Sequence, residues 1–300
     1  MEIHQLKAFD AVASTGGFSR AAKKCHIAQP SLSKAIQRLE AEIGEKLFTR
    51  LKRRAVLTAT GEILQKRVRR ILNEIDEVRR EVSETQGLMR GAVSIGVLPT
   101  IAPYFLPGVI GQFLKSCPTL EIVAHEDVTA NLLKLIDECE IDLALLSLPV
   151  FETGLEKEVL FKEELLLAVP QKHPFAAKDS VSVCDLENER FILMKEAHCL
   201  GDQVFSFCTQ STFRFQITLR SSQVETIHSL VVSGLGISLI PQMARIKNRP
   251  SLVYRSLEAP KPTRTIVVVW RKGRDHSRAM TEFLKHLRQH AKAWTENFGS

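Results

Sequence analysis

Leu64, Val68, Ile71, Ile75, Val78 and Val82 are spaced 4, 3, 4, 3 and 4 residues apart. This is a strict heptad seam, narrower than the stripe of a core-facing helix, and a helix that carries it wants a second helix beside it. Residues 60–86 therefore read as one helix about 40 Å long at 1.5 Å per residue. It is long enough to hold two parts of the chain apart and to pair two copies of it. The division this predicts is a small unit in residues 1–59, a dimerisation helix and hinge in 60–90, and a larger unit in 91–300, with Leu88-Met89-Arg90-Gly91 as the hinge.

Charge follows the same division. Residues 1–90 hold 18 Lys and Arg against 11 Asp and Glu, leaving 23 against 23 in the rest of the 300-residue chain, so the whole net charge of +7 sits in the first 90 residues. A basic head on a neutral body points to a polyanion for the head and a separate task for the body. The apolar fraction of 44% and the charged fraction of 25% are those of an ordinary soluble protein. Met1-Glu2-Ile3-His4-Gln5-Leu6-Lys7 lacks the basic and apolar regions of a signal peptide, and no stretch reaches about 18 uncharged apolar residues. The expected place is the cytoplasm, away from membranes, where the six cysteines are kept reduced and a disulfide is a transient redox event. None of their spacings is C-x2-C.

In the head, Ile3, Leu6, Phe9 and Ala13 share one helical face that Gly16-Gly17 stops, and Ser19 reads as the N-cap of a second helix through Cys25. Gln29-Pro30-Ser31 opens a third helix with proline in its first turn, which buries Leu32, Ile36, Leu39 and Ile43 and ends near Gly44. Its other face shows Gln29, Ser31, Ser33, Lys34, Gln37 and Arg38. This is the pattern of a helix-turn-helix whose second member lies in the major groove, with Gln, Ser and Lys at base edges and Arg38 on phosphate. Two short strand-like runs, 47–50 and 55–58, flank the basic tip Leu51-Lys52-Arg53-Arg54 and form a wing suited to phosphate or the minor groove. A paired linker helix presents two such heads, so the DNA target is expected to contain two half-sites.

The body shows strand-like runs at 92–97, 120–124, 141–146 and 165–169 alternating with helical stretches at 103–115 and 130–139, the rhythm of a mostly parallel sheet. A second set holds 191–194, 215–219, a helix at 224–233 and the buried run 236–241, and 265–270 with 275–291 returns to the first lobe. The expected fold is α/β behind an all-α N-terminal winged helix-turn-helix, with a two-lobed body: lobe I at about 91–163 and 265–300, lobe II at about 164–264. Ligands in such folds bind beyond strand ends, at helix N-termini. Thr100 follows the first strand and Thr129 precedes a helix, so each is either a helix cap or a ligand-facing hydroxyl.

The head motifs Phe18-Ser19-Arg20-Ala21-Ala22, Gln29-Pro30-Ser31-Leu32-Ser33 and Leu39-Glu40-x-x-Ile43-Gly44-x-x-Leu47-Phe48-x-Arg50, in this order of units, resemble the LysR-type transcriptional regulators. The resemblance covers the whole chain. It implies a homotetramer that bends promoter DNA and meets RNA polymerase, a body built like periplasmic binding proteins, and Gln29, Pro30, Ser31, Ser33, Lys34, Arg50 and Arg53 at the DNA.

In residues 195–208, Cys199 stands beside His198, a partner that stabilises thiolate, the form that attacks peroxide. Attack yields sulfenic acid, which condenses with a second thiol, and Cys208 offers one. If 200–208 is helical, nine residues hold the two Cα atoms about 13 Å apart, whereas a disulfide tolerates no more than about 7 Å. The bond requires the helix to unwind, and such a two-state element is what a switch needs. The segment resembles that of the OxyR-type hydrogen-peroxide sensors within the LysR type. That likeness implies an activator of antioxidant genes with Cys199 as peroxidatic and Cys208 as resolving cysteine, with Thr100, Thr129 and His198 holding the peroxide and Asp202 supporting the site. Ala197 replaces the family's usual glycine, and Gly201 stands where a basic residue is frequent.

Cys25, Cys117, Cys139 and Cys184 read as small buried hydrophobes. No Ser/His/Asp order, phosphate-cradling glycine loop or HExxH points to an enzyme, and His198, Cys199 and Cys208 lack a fourth ligand, so neither cofactor nor metal is expected. Two other readings stay open: a LysR-type regulator controlled by a small organic effector in the cleft, and an enzyme or solute-binding protein with a basic dimerisation head.

Overall fold

The structure is a computed structural model that describes residues 1–51, 54–84, 91–195, 199–210, 216–273 and 276–298. Lys52, Arg53, Ala197, His198 and most of the hinge lie outside the described residues, as do the side chains of Arg50 and Cys208. The chain forms two compact units, Met1–Leu88 with Asp137–Glu140, and Met89–Ile136 with Ile141–Ser300.

The first unit begins with helices α1 (Ile3–Thr15), α2 (Phe18–Lys24) and α3 (Gln29–Ile43). Helix α1 stops at Gly16, whose φ of 65° lies in the left-handed region that glycine enters without cost, and α3 stops in the same way at Gly44 with φ 81°. Helix α2 starts two residues earlier than its sequence suggests. Gly17 takes the cap position and Ser19 lies inside the first turn, where its hydroxyl donates to Gln29 Oε1 at 3.0 Å. The apolar faces of the three helices close a core of Leu6, Phe9, Val12, Leu32, Ile36 and Leu39, with the Phe9 and Phe48 rings 5.2 Å apart.

Strands β1 (Phe48–Leu51) and β2 (Arg54–Leu57) pair antiparallel as the wing, and α4 (Ala59–Glu84) follows. The Thr58 hydroxyl accepts from Gly61 N at 3.0 Å, satisfying an N–H that the first turn leaves open. The heptad seam is divided in use. Leu64 and Val68 pack into the head's own core, because α1 lies along the first half of α4, while Ile71 and Val78 are exposed.

The second unit contains β3 (Gly91–Val97), α5 (Ala102–Ser116), β4 (Leu120–Glu126), α6 (Thr129–Asp137), β5 (Leu143–Ser147), β6 (Leu155–Pro170), β7 (Ser180–Val181), β8 (Arg190–Met194), α7 (Cys199–Gln210), β9 (Gln216–Ser221), α8 (Val224–Val232), β10 (Ser238–Pro241), β11 (Leu252–Leu257), β12 (Thr263–Arg271) and α9 (Arg278–Phe298). The main sheet runs β4-β3-β5-β12-β6-β11-β7, with β10 also on β6 and β8-β9 beside it. It is less parallel than the sequence suggests. Strand β3 is parallel to β4 and β5, but β12 is antiparallel to both β5 and β6. The reason is topological: β6 carries the chain out of one lobe into the other and β12 brings it back.

Each lobe has its own core. One gathers residues up to Phe161 and from Ile266 onward, together with Met243; the other gathers residues from Leu165 to Leu257. Strand β5, in the interior of the sheet between β3 and β12, reads as an apolar run because it is covered on both faces: every residue of Leu143–Ser147 is buried. Among the described residues no helix is long and apolar enough to cross a membrane.

Candidate functional site

On the head, α3 turns Leu32, Ile36 and Leu39 inward and leaves Gln29, Pro30, Ser31, Lys34, Gln37 and Arg38 exposed, with Ser33 half-buried. The polar row lies on the side opposite the core, as the 3.6-residue period requires. Arg50 pairs with Ala55 across the wing hairpin.

In the body, β6 and β12, the strands that pass between the lobes, build the chemistry. Arg264 on β12 and Glu163 on β6 are cross-strand partners, both buried, and Arg264 Nε donates to Glu163 Oε1 at 2.7 Å. Met243 N donates to the second carboxylate oxygen at 2.9 Å. The far side of the guanidinium reaches the exit of β3, where Nη1 donates to the Thr100 hydroxyl at 2.8 Å and Nη2 to the Thr100 carbonyl at 3.0 Å. A buried ion pair is tolerable only when its remaining hydrogen-bonding groups are satisfied in this way.

Helices α6 and α7 begin at Thr129 and Cys199, so their N-termini bring both residues to one cavity of about 800 Å³ that also touches Asp202, Gln203 and Arg264. Burial pushes the Cys199 thiol up from its ordinary range, opposed by the Arg264 charge, the Thr129 hydroxyl and the Leu200 N–H. The helix terminus favours the anion as well. Gln203 Nε2 donates to Ser147 Oγ at 2.9 Å and to the Leu148 carbonyl, tying α7 to the opposite lobe. Two oxygens of residues that line this cavity, Thr129 Oγ1 and Gln203 Oε1, are buried without a hydrogen-bond partner among the described residues. Thr129 stands close enough to Cys199 to favour its thiolate, but not in a full hydrogen bond.

The two threonines thus have different places. Neither caps a helix: Thr129 is the first residue of α6 and Thr100 is spent on Arg264. Thr100 is buried behind the guanidinium rather than among the residues lining the cavity.

Residues 3–62 match the bacterial regulatory helix-turn-helix proteins of the lysR family, and residues 86–292 match the LysR substrate binding domain. The chain belongs to the LysR family. A hydrogen peroxide-inducible genes activator of Pectobacterium carotovorum subsp. carotovorum is 33% identical to it over 298 residues, 99% of each chain. Full-length OxyR from Pseudomonas aeruginosa has the same fold at a TM-score of 0.80 and 29% identity, over 96% of this chain and 98% of that one. A hydrogen peroxide-bound mutant of Corynebacterium glutamicum OxyR gives 0.64 at 29% identity, over 99% and 97%. The LysR-type regulator described here is therefore OxyR-like along its whole length.

Within the LysR pattern, Gly201 has a local cause. Helix α7 sits so close to the end of β8 that a Cβ at Gly201 would stand 2.8 Å from the Met194 carbonyl oxygen and 3.1 Å from that of Lys195. Any side chain here would lift the helix. Sequence reasoning missed Arg264, Glu163 and Gln203, which are remote from Cys199 in sequence or carry no motif. It also misplaced Cys184, which is exposed on a short 3-10 turn, whereas Cys117 is buried and Cys25 and Cys139 are half-buried.

Proposed function

We propose that this LysR-family regulator binds duplex promoter DNA through paired heads and responds to hydrogen peroxide through Cys199. The observation that carries the reading is a pair of buried oxygens, Thr129 Oγ1 and Gln203 Oε1, on residues that line the cavity of Cys199 and without a hydrogen-bond partner among the described residues. Buried polar atoms are otherwise almost always satisfied. Peroxide has two O–H donors and two acceptor oxygens, so it would donate to Gln203, accept from Thr129 and lie against the thiol. Arg264 stabilises the thiolate, while Thr100 and Asp202 support the site from behind and from α7.

Attack by the Cys199 thiolate on one peroxide oxygen forms the S–O bond and breaks the O–O bond, and the leaving hydroxide takes a proton to become water. The Cys208 thiolate then attacks the sulfenic sulfur, the S–O bond breaks, and a second water leaves. Both cysteines belong to the single helix α7, nine residues apart, or about 13 Å at the helical rise, so the disulfide requires α7 to unwind. Leu200 and Val204, buried in the lobe II core, then lose their packing. Changed packing at the surface of lobe II would alter the tetramer and its grip on DNA. The fit of the head is to DNA read by Gln29, Pro30, Ser31, Ser33 and Lys34, with Arg38, Arg50, Lys52 and Arg53 on phosphate.

The test is a titration of the reduced full-length protein with hydrogen peroxide, followed by a nonreducing peptide map and a DNA footprint. Loss of two thiols, a Cys199–Cys208 linked peptide and a changed footprint are expected. Unchanged thiol content at near-stoichiometric peroxide would refute the redox reading and favour an effector-controlled regulator.

A further inference from the structure

The charges of the body balance as a whole but not locally. Residues 245–255 hold Arg245, Lys247, Arg249 and Arg255 and no Asp or Glu. They form the turn before β11 and the start of that strand, and they line a cavity of about 550 Å³ that shares no residue with the one at Cys199. No carboxylate lines it. Arg245, Arg249 and Arg255 have no ion pair among the described residues. Arg255 is half-buried, with Nη1 donating to the Tyr254 carbonyl at 2.9 Å and Nη2 to the Ala176 carbonyl, so its fork is fixed while its charge is left uncompensated. The Arg245 guanidinium lies over the Tyr254 ring, 5.9 Å from its centre, and the Ile246 N–H donates to the Tyr254 hydroxyl at 3.2 Å. Side chains held in this way have less freedom to lose on binding than cations on a solvated face. A half-buried cation without a counterion is costly, and cations gathered around one cavity repel each other. An anion relieves both.

We propose that this cavity binds a small molecule carrying two linked phosphates, whose oxygens are shared among Arg245, Lys247, Arg249 and Arg255. The planar fork of a guanidinium matches phosphate oxygens at two points. A single phosphate carries no more than about two negative charges at neutral pH, too few for four cations, and a carboxylate carries fewer still. The volume agrees, since about 550 Å³ lies within the range of sites for small organic ligands. No aromatic ring of the lining is open for a base to stack on, because Tyr254 is buried and Arg245 already lies over it. The site therefore reads the diphosphate rather than what it is attached to, and free pyrophosphate and a nucleoside diphosphate share that chemistry. Nothing in this proposal depends on how Cys199 reacts.

The experiment is isothermal titration of the reduced full-length protein with pyrophosphate, ADP, GDP, inorganic phosphate and sulfate, at constant ionic strength and without divalent cations. Pyrophosphate should bind at one site per chain with a Kd below about 1 mM, and phosphate and sulfate about tenfold more weakly or worse. ADP and GDP should agree with each other within about threefold. If they bind as tightly as pyrophosphate, a nucleotide is the source; if both are about tenfold weaker, the free diphosphate is. The paired substitution Arg245→Gln with Arg249→Gln should weaken pyrophosphate binding by about tenfold or more, while its affinity for duplex DNA stays that of the wild type and shows the chain to be folded. Arg249→Lys keeps the charge and loses the fork, so it should weaken binding by less, and it carries the test alone if the paired variant does not fold. Binding that these variants leave unchanged would place the anion elsewhere, on the basic head, and overturn the proposal. Sulfate bound as tightly as pyrophosphate, a preference between ADP and GDP beyond that limit, or no binding of pyrophosphate up to about 1 mM would overturn it as well.

Discussion

Arg264 holds Thr100 at two points, donating to its hydroxyl at 2.8 Å and to its carbonyl oxygen at 3.0 Å. The hydroxyl is an acceptor in this contact, and its role is to complete the shell of a buried cation. Thr100→Val would leave one guanidinium N–H buried without an acceptor. A loss of about 1–3 kcal/mol in unfolding free energy is expected, measured by urea denaturation, with Thr100→Ser restoring most of it. Peroxide oxidation of Cys199 should slow in the valine variant alone.

Glu163 is the other half of that shell. Glu163→Ala strands the Arg264 charge between β6 and β12 and should cost about 3–5 kcal/mol. A thermal melt would show it as a lowered midpoint, and a loss no larger than that of a surface carboxylate would contradict the placement of the pair.

The pH dependence of thiol oxidation follows from burial. Because burial pushes the Cys199 thiol up, the protonated form dominates at neutral pH and the reactive thiolate grows as pH rises. The rate constant for hydrogen peroxide should therefore climb with pH and reach half-maximum above the range of an ordinary cysteine. Arg264→Met removes the largest influence opposing burial and should move that midpoint still higher. A midpoint that falls instead would show that the guanidinium does not act on the thiol.

Gly201 sets how closely α7 lies on β8. Gly201→Ala places a methyl group 2.8 Å from the Met194 carbonyl oxygen, and relief of such overpacking costs about 1–3 kcal/mol. The reduced protein should lose that much stability, and Cys199–Cys208 disulfide formation should accelerate, because the helix that must unwind is already lifted. Quenched-flow trapping of the linked peptide measures the second effect.

His228 gives an acid limb to stability. It lies in the lobe II core with Nε2 3.1 Å from the Tyr254 hydroxyl and Nδ1 unpartnered among the described residues, and burial lowers its pKa to about 4. The unfolded chain takes up this proton near pH 6.5 and the folded chain only near 4, so stability is complete above about 6.5 and falls between those values, by on the order of 2–3 kcal/mol. His228→Phe should flatten that part of the stability profile.

Local signals made the head readable from its residues. Pro30 and Gly44 bound α3, Gly16 ends α1, and the alternation of buried and polar positions marks the exposed row. Cys199 stood out as a candidate because the residues that suggest its chemistry adjoin it. The pairing of β6 with β12 did not. The outer half of β6 mixes Glu156, Lys157, Glu158, Lys162 and Glu163 with apolar residues and reads as a charged loop until β12 pairs with it. Arg264 and Glu163, 101 residues apart, look like two surface charges until that pairing buries both. The linker seam was over-read in the other direction: Leu64 and Val68 keep the heptad spacing yet serve the head, because periodicity shows which face is apolar but not what covers it.

Strand β6 belongs to both lobes, pairing with β12 at one end and with β10 and β11 at the other. The lobes are therefore geared through a common axle, and the guanidinium that shares a cavity with Cys199 is mounted on it. If Cys199 reacts as proposed, any influence that favours one lobe angle, whether a neighbouring subunit or a bent promoter, must shift its redox equilibrium. Oxidation must act back on that angle with the same free energy. On this mechanical footing a regulator that works as proposed would report how tightly it is held as well as what oxidises it.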